Sequence, residues 1–351
     1  MPVGPAGRLS YISKYKPSPM GRKTIDSNYG IGFFDYCFMR RNCYINSMKK
    51  LFFLVIALTG LIRAHSQLNS AIPAEDPVLH QKKDIANISG DSSKPYALVA
   101  GGSKGIGYAI AEALARRGYN LILIARHADS LIAAKNKLES NFGIHAEILS
   151  MDLSRDESAP EIARWCTERN IPLKILCNVA GFGGANDYLL LPLDTVRYMI
   201  NLNVGSAVSL TLTLLPLLEK NAPSYILNVG SMAGLAPIPI KNLYAATKSA
   251  VIFFSYALRY QLREKHISVS VLCPGPVFTK PEIRKDTKEK LGWFGMQLAI
   301  PPERVGEIAV RETLNKKLVI VPGRLSKLMA FFIRALPRRF IVSIYNKAGK
   351  K

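Results

Sequence analysis

Tyr244 and Lys248 stand four residues apart in the run YAATK. The stretch from Leu243 to Lys265 reads as one long helix, so this spacing puts both side chains on one face. A free phenol titrates near pH 10 and shuttles protons poorly at neutrality, whereas a neighbouring ammonium lowers such a pKa by about 1 to 3 units. A phenol tuned in this way gives its proton to a carbonyl oxygen, or takes it back from an alcohol. YxxxK alone is a weak pattern, because Tyr and Lys often share a helix face as partly solvated residues. It gains force from an ordered set of other pieces at consistent spacing: AGGSKGIG at Ala100 to Gly107, NVAG at Asn178 to Gly181, and Ser231.

The run YALVAGGSKGIGYAIAEALARRG reads as strand, tight turn and helix. Gly101 and Gly105 allow backbone geometry closed to other residues, and Gly107 lets the helix pack closely. A pyrophosphate can then sit at the helix N-terminus, against N–H groups of a turn that also holds Ser103, Lys104 and Ile106. An NAD enzyme usually places an acid after the second strand to accept from the ribose 2′-hydroxyl. Here that strand ends LILIARH, with Ala125 in the acid's place. Arg126 and Lys104 offer two cations for a 2′-phosphate, and Arg can grip it bidentately. The pattern predicts hydride transfer with NADPH preferred over NADH.

Seven short apolar runs must position these residues: Tyr96 to Ala100, Asn120 to Ala125, Ala146 to Ser150, Leu173 to Cys177, Tyr225 to Val229, Ser268 to Cys273 and Leu318 to Val321. Each is nearly continuous in apolar residues, as a strand buried on both faces should be. Periodic stretches such as Ile106 to Arg117 and Val305 to Asn315 are long enough for crossover helices. The expected fold is α/β, a single doubly wound Rossmann-type domain with a seven-stranded parallel sheet.

The glycine spacing GxxxGxG, with YxxxK and a serine thirteen residues before the tyrosine, resembles the short-chain dehydrogenase/reductase family in its classical branch. The resemblance covers roughly residues 94 to 323. It implies that Asn178, Ala180 and Gly181 border the cofactor, that Asp152 and Leu153 contact the adenine, and that Pro274, Gly275, Val277 and Thr279 flank the nicotinamide. It also implies Tyr244 as acid/base, Ser231 beside it as oxygen anchor, Lys248 as pKa tuner and ribose ligand, and Asn203 as part of a water relay. Tyr244 and Lys248 therefore also count as cofactor contacts. Ala100, Val179 and Gly230 depart from the family pattern, at turn and sheet positions and not at reacting groups. Within the family the chain looks most like relatives of steroid dehydrogenases and long-chain 3-oxoacyl reductases, so an apolar carbonyl or alcohol substrate and a homo-oligomer are expected. Substrate choice should come from residues 280 to 300, where Trp293, Phe294, Met296 and Leu298 could line a cleft or simply pack, and from Phe182 to Leu191 and Leu235 to Lys241.

The 351 residues carry a net charge of +22, concentrated at the ends. Residues 1 to 50 hold +7 and residues 313 to 351 hold +10, leaving +5 for the 262 between, an ordinary surface. A nucleic-acid protein would carry that charge on its folded body, interleaved with aromatics, so this class is set aside. The five cysteines (Cys37, Cys43, Cys166, Cys177 and Cys273) show neither CxxC pairs nor a disulfide framework, and no metal site is implied.

Met48 to Gln67 has the plan of a secretory signal peptide, with two lysines, a 12-residue apolar run, and Ala64 and Ser66 after it. An uncleaved anchor is the second reading, the run being short for a span. The expected organisation is a non-native or disordered leader at 1–47, the signal-like or anchor segment at 48–66, a linker at 67–93, the reductase domain at 94–323 and a basic amphipathic tail at 324–351. That tail either covers the core as a docking helix or lies on an anionic membrane surface, and the composition favours the latter slightly. Localisation stays open, since the signal-like segment argues for export while cofactor supply argues for the cytoplasmic face. Two other classes compete with a soluble reductase: a cofactor-binding regulatory protein, which need not keep all four catalytic residues, and a membrane-surface lipid-modifying reductase, which would.

Overall fold

The computed structural model describes residues 94–183, 190–279 and 299–348. The leader, the signal-like segment, the linker, Cys37, Cys43, most of the 280 to 300 stretch with Trp293, Phe294, Met296 and Leu298, and part of Phe182 to Leu191 lie outside the described residues.

Seven strands form one parallel sheet: β1 (Tyr96–Ala100), β2 (Asn120–Ala125), β3 (Ala146–Ser150), β4 (Leu173–Asn178), β5 (Ser224–Val229), β6 (Ile267–Leu272) and β7 (Val319–Ile320), in the order β3-β2-β1-β4-β5-β6-β7. Between them run α1 (Gly105–Ala115), α2 (Ala128–Phe142), α3 (Ser158–Glu168), α4 (Leu193–Ile200), α5 (Ser206–Lys220), α6 (Asn242–Gln261) and α7 (Pro302–Leu314). This is the expected doubly wound fold, with strand ends moved by a residue or two. The helix expected to run to Lys265 stops at Gln261 and gives way to a 3-10 turn at Arg263–Lys265.

The near-continuous apolar strands follow from burial on both faces. In β1, Ala97 and Val99 join one core with Ile110, Leu114, Leu131 and Val305, while Leu98 and Ala100 join another with Ile162, Leu210, Leu214 and Leu258. Gly306 of α7 lets that helix cross α1 closely, since a Cβ there would lie 2.3 Å from the Ala109 carbonyl oxygen. The stretch Leu193–Lys220 is, among the described residues, the one helix long and apolar enough to cross a membrane. Leu210, Leu214 and Leu218 are nevertheless fully buried against the sheet, as a crossover helix requires. The thiols of Cys166, Cys177 and Cys273 are buried and pushed up to about 12 by desolvation, so they act as small apolar side chains.

Two further helices follow β7: α8 (Arg324–Ala335) and α9 (Arg338–Ala348). Their inner residues Ala330, Ile333 and Ile341 complete a third core with Leu235, Ile238, Ala245, Ile252 and Cys273. The tail therefore does cover the core. The apolar residues Leu235 and Ile238, expected at a substrate cleft, instead turn inward against these helices.

Candidate active site

Strand order reverses between β1 and β4, which opens a crevice at the carboxyl ends of the two strands, where α/β sheets take ligands. The glycine turn lies on one side of it. Gly101 has φ +90, and a Cβ on Gly107 would fall 1.9 Å from the Gly101 carbonyl oxygen, so α1 starts closer to the turn than any side chain allows. Amides of Gly101 and Gly102 bond the Ile124 carbonyl at 2.7 and 3.2 Å, while those of Val179 and Ala180 bond the Ala100 carbonyl at 3.0 and 2.7 Å. The first turn and NVAG are thus laced together. Thr279 closes over Gly105, with its Cγ2 3.1 Å from where a Cβ would sit. Bare backbone facing a helix N-terminus is the cradle a dinucleotide pyrophosphate needs, and the residues present fit one.

Arg126 and Lys104 are exposed on this side of the crevice. The Arg126 guanidinium donates to the Tyr198 hydroxyl of α4 at 2.8 Å and lies 5.8 Å from its ring centroid. Tyr198 in turn meets Phe182 edge-on, centroids 5.7 Å apart. Tyr198 was not singled out in the sequence, since its 72-residue separation from Arg126 leaves no local signal. Asp152 starts the turn after β3, accepting from the Ser154 amide at 3.0 Å and hydroxyl at 2.8 Å.

Asn178 was expected to border the cofactor, but its side chain turns away. The Nδ2 group donates to Asn228 Oδ1 at 2.8 Å and to Thr211 Oγ1 at 3.1 Å, and Asn228 Nδ2 donates to Ser255 Oγ at 2.9 Å. This buried ladder ties β4 and β5 to α5 and α6, leaving Ala180 and Gly181 nearer the mouth. Asn178 Oδ1 has no partner, but Asn228 both accepts from Asn178 and donates to Ser255, so Asn228→Leu is expected to cost about 1–3 kcal/mol. Urea unfolding should find the triple change Asn178→Leu/Asn228→Leu/Ser255→Ala cheaper than the sum of its single changes.

Ser231 follows β5 and starts a 3-10 turn, Met232–Leu235, its Oγ accepting from the Ala233 amide at 3.1 Å. Its hydroxyl is near enough to the Tyr244 phenol to pull that group's pKa down. The turn sits on α6 at Gly234, where a Cβ would lie 2.7 Å from the Lys248 backbone carbonyl carbon. Gly230 has a packing reason for its smallness, since a Cβ there would press within 3.0 Å of Ile252. Lys248 is 4% exposed, donates from Nζ to the Val229 carbonyl at 2.8 Å, and lies 6.0 Å from the Tyr244 ring centroid.

The electrostatics differ from the expected sign. Burial pushes the Tyr244 phenol above its usual value, the Ser231 hydroxyl pulling only partly the other way. Lys248 is itself pulled down to about 8 by burial. Burial disfavours the charged form of each group, which raises the phenol and lowers the ammonium.

Asn203 falls in a π-helical turn, Asn201–Gly205, between α4 and α5. Its Oδ1 accepts from the Phe182 amide at 2.7 Å, and its Nδ2 donates to the Phe182 carbonyl and to Thr247 Oγ1, each at 3.0 Å. A Cβ on Gly181 would sit 3.2 Å from Lys248 Nζ and 3.3 Å from Asn203 Oδ1. Ser231, Tyr244, Lys248 and Asn203 thus surround one end of the crevice. The side-chain amide of Asn203 is thus committed to the Phe182 backbone and Thr247.

Comparison with known proteins gives a consistent result. Residues 95–290 match the family model described as short chain dehydrogenase. The very-long-chain 3-oxoacyl-CoA reductase of Mus musculus is 32% identical over 200 residues, covering 56% of this chain and 64% of that protein. Very-long-chain 3-oxoacyl-CoA reductase-A of Danio rerio is 32% identical over 200 residues, covering 56% and 62%. The chain spans less than two thirds of the length of these relatives. Among solved structures, a short-chain dehydrogenase from Sphingobium yanoikuyae in complex with NADPH superposes with a TM-score of 0.59 at 27% identity, covering 68% of this chain and 92% of that one. The bulky-bulky ketone specific alcohol dehydrogenase from Comamonas testosteroni gives 0.59 at 25% identity, covering 69% and 91%.

Proposed function

The chain belongs to the short-chain dehydrogenase family of NAD(P)-binding oxidoreductases, and on that premise we propose that it interconverts an apolar ketone and its secondary alcohol with NADP(H). The observation that carries this reading is the meeting of Ser231, Tyr244, Lys248 and Asn203 at one end of the crevice whose other side is the glycine cradle. A bound reduced nicotinamide supplies the hydride. Tyr244 delivers the proton to the carbonyl oxygen, and Ser231, beside the phenol, holds that oxygen in line. Lys248, titrating near 8, passes a proton inward from solvent and binds the cofactor ribose. Asn203 fixes the Phe182 loop beside them.

Resemblance to 3-oxoacyl-CoA reductases and to a bulky-ketone dehydrogenase supports a 3-oxoacyl, steroid-like or other lipid ketone as substrate. We assign the reductase domain to residues 94–323, and take the apolar segment at 48–66 to support membrane association with the site on the cytoplasmic face. The outer stripe of α6, with exposed Phe253 and Tyr260, supports assembly into a homo-oligomer.

The cofactor preference rests on Arg126 and Lys104. Screening ketones and 3-oxoacyl thioesters should give higher kcat/KM with NADPH than with NADH. Arg126→Ala should erase about 10- to 100-fold of that preference by removing a charge-assisted contact. Tyr198→Phe, which releases the guanidinium from its hydroxyl partner, should change the preference less. Equal efficiency with both cofactors in the unaltered protein would overturn the assignment.

A further inference from the structure

We propose that the outer face of α8 is a docking surface for anionic lipid bilayers. The inner face is spent on the protein core through Ser326, Ala330 and Ile333. On the opposite side Arg324, Lys327, Leu328, Phe331, Arg334 and Ala335 are all exposed. At 3.6 residues per turn these six fall within an arc of about 120°. Phe331 lies near the middle of the arc with 65% of its surface exposed, and Phe332 meets its ring edge-on at 5.7 Å.

Two large apolar side chains held in water among three cations suit a helix lying in a bilayer interface. The ring and the leucine enter the acyl boundary, while the Lys and Arg stems reach headgroup phosphates. Charge identifies the occupant. From residue 313 to the end the chain has ten Lys and Arg and no Asp or Glu, against a net +5 for residues 51 to 312. Such a face repels a second copy of itself and attracts anionic headgroups.

The placement also has a use, one that rests on the reductase reading above. α8 packs on the turn Met232–Leu235 and α9 on the turn Pro239–Lys241, and Arg338 donates to the Leu235 carbonyl at 2.7 Å. Docking through α8 therefore brings the segment joining Ser231 to Tyr244 toward the membrane, from which an apolar ketone could be drawn.

The test places a reporter on the surface itself, so that binding through the apolar run near the N-terminus does not enter. In the full chain carrying Phe331→Trp, vesicles of phosphatidylcholine with phosphatidylglycerol should blue-shift the emission beyond that of the unaltered protein, and brominated lipid should quench the added signal. Adding Lys327→Glu and Arg334→Glu should weaken that response about tenfold or more. The proposal fails if residue 331 does not respond to anionic vesicles, if pure phosphatidylcholine gives the same response, or if charge reversal leaves the affinity unchanged. It also fails if the shift follows protein concentration without lipid, which would assign the face to a second copy. Turnover of a soluble ketone with NADPH should be equal in all variants. Absence of that turnover in the unaltered protein would count against the reductase reading and leave the lipid readout standing.

Discussion

Tyr244→Phe is expected to lower ketone reduction by about 10²- to 10⁴-fold, the range a positioned general acid supplies. Cofactor affinity should hold, because the cradle is built from backbone at Gly101, Gly105 and Gly107 and keeps its contacts when only the phenol oxygen is removed. The fold should hold as well. The Ser231 oxygen still accepts from the Ala233 amide, so it is not stranded. Stopped-flow single turnover would isolate the chemical step, and a fluorescence titration with NADPH would report binding. A variant retaining more than about a tenth of the activity would show that the proton comes from elsewhere.

Lys248→Met should separate activity from stability, moving them in opposite directions. Turnover falls, because no cation remains beside the phenol to carry a proton or hold the ribose. Stability at neutral pH rises. Lys248 keeps its proton up to about 10.5 when unfolded but only to about 8 when folded. Between those values the unfolded chain binds more protons, so the stability of the unaltered protein climbs with pH across that window. Below about 8 the burial cost is present in full, on the order of 3 kcal/mol. Losing the bond to the Val229 carbonyl offsets about 1 kcal/mol of the relief. Denaturant unfolding should therefore find the variant about 2 kcal/mol more stable at pH 7, with the advantage gone above about pH 10.5. A less stable variant at pH 7 would mean that the fold compensates the ammonium charge.

The sheet was readable in the sequence because strands buried on both faces must be apolar at every position, as in Leu98 and Val99, which serve opposite cores. The glycine turn was readable because Gly107 meets the Gly101 carbonyl where no side chain fits. What escaped depends on partners far along the chain. The π turn at Asn203 is stabilised by the Phe182 backbone and Thr247, which no local pattern announces. The inward turn of Asn178 needs Asn228 and Thr211 to receive it. The sign of the Tyr244 shift could not be read either, because helical spacing fixes which charges are neighbours and says nothing of how much water the fold removes around them.

The wall behind the site has a bearing on how the enzyme comes into being. Leu235 and Ile238 are sheltered by residues about a hundred positions later in the chain, and Arg338 reaches back across 103 residues to the Leu235 carbonyl. At a synthesis rate of about 5–20 residues per second, those two side chains stay uncovered for several seconds after they leave the ribosome. During that interval a nascent chain has its nucleotide cradle and its tyrosine but no backing for the turn that carries the serine. Helix α9 finishes the pocket, so a message cut short before it would yield a sticky, idle protein and not a weakened enzyme.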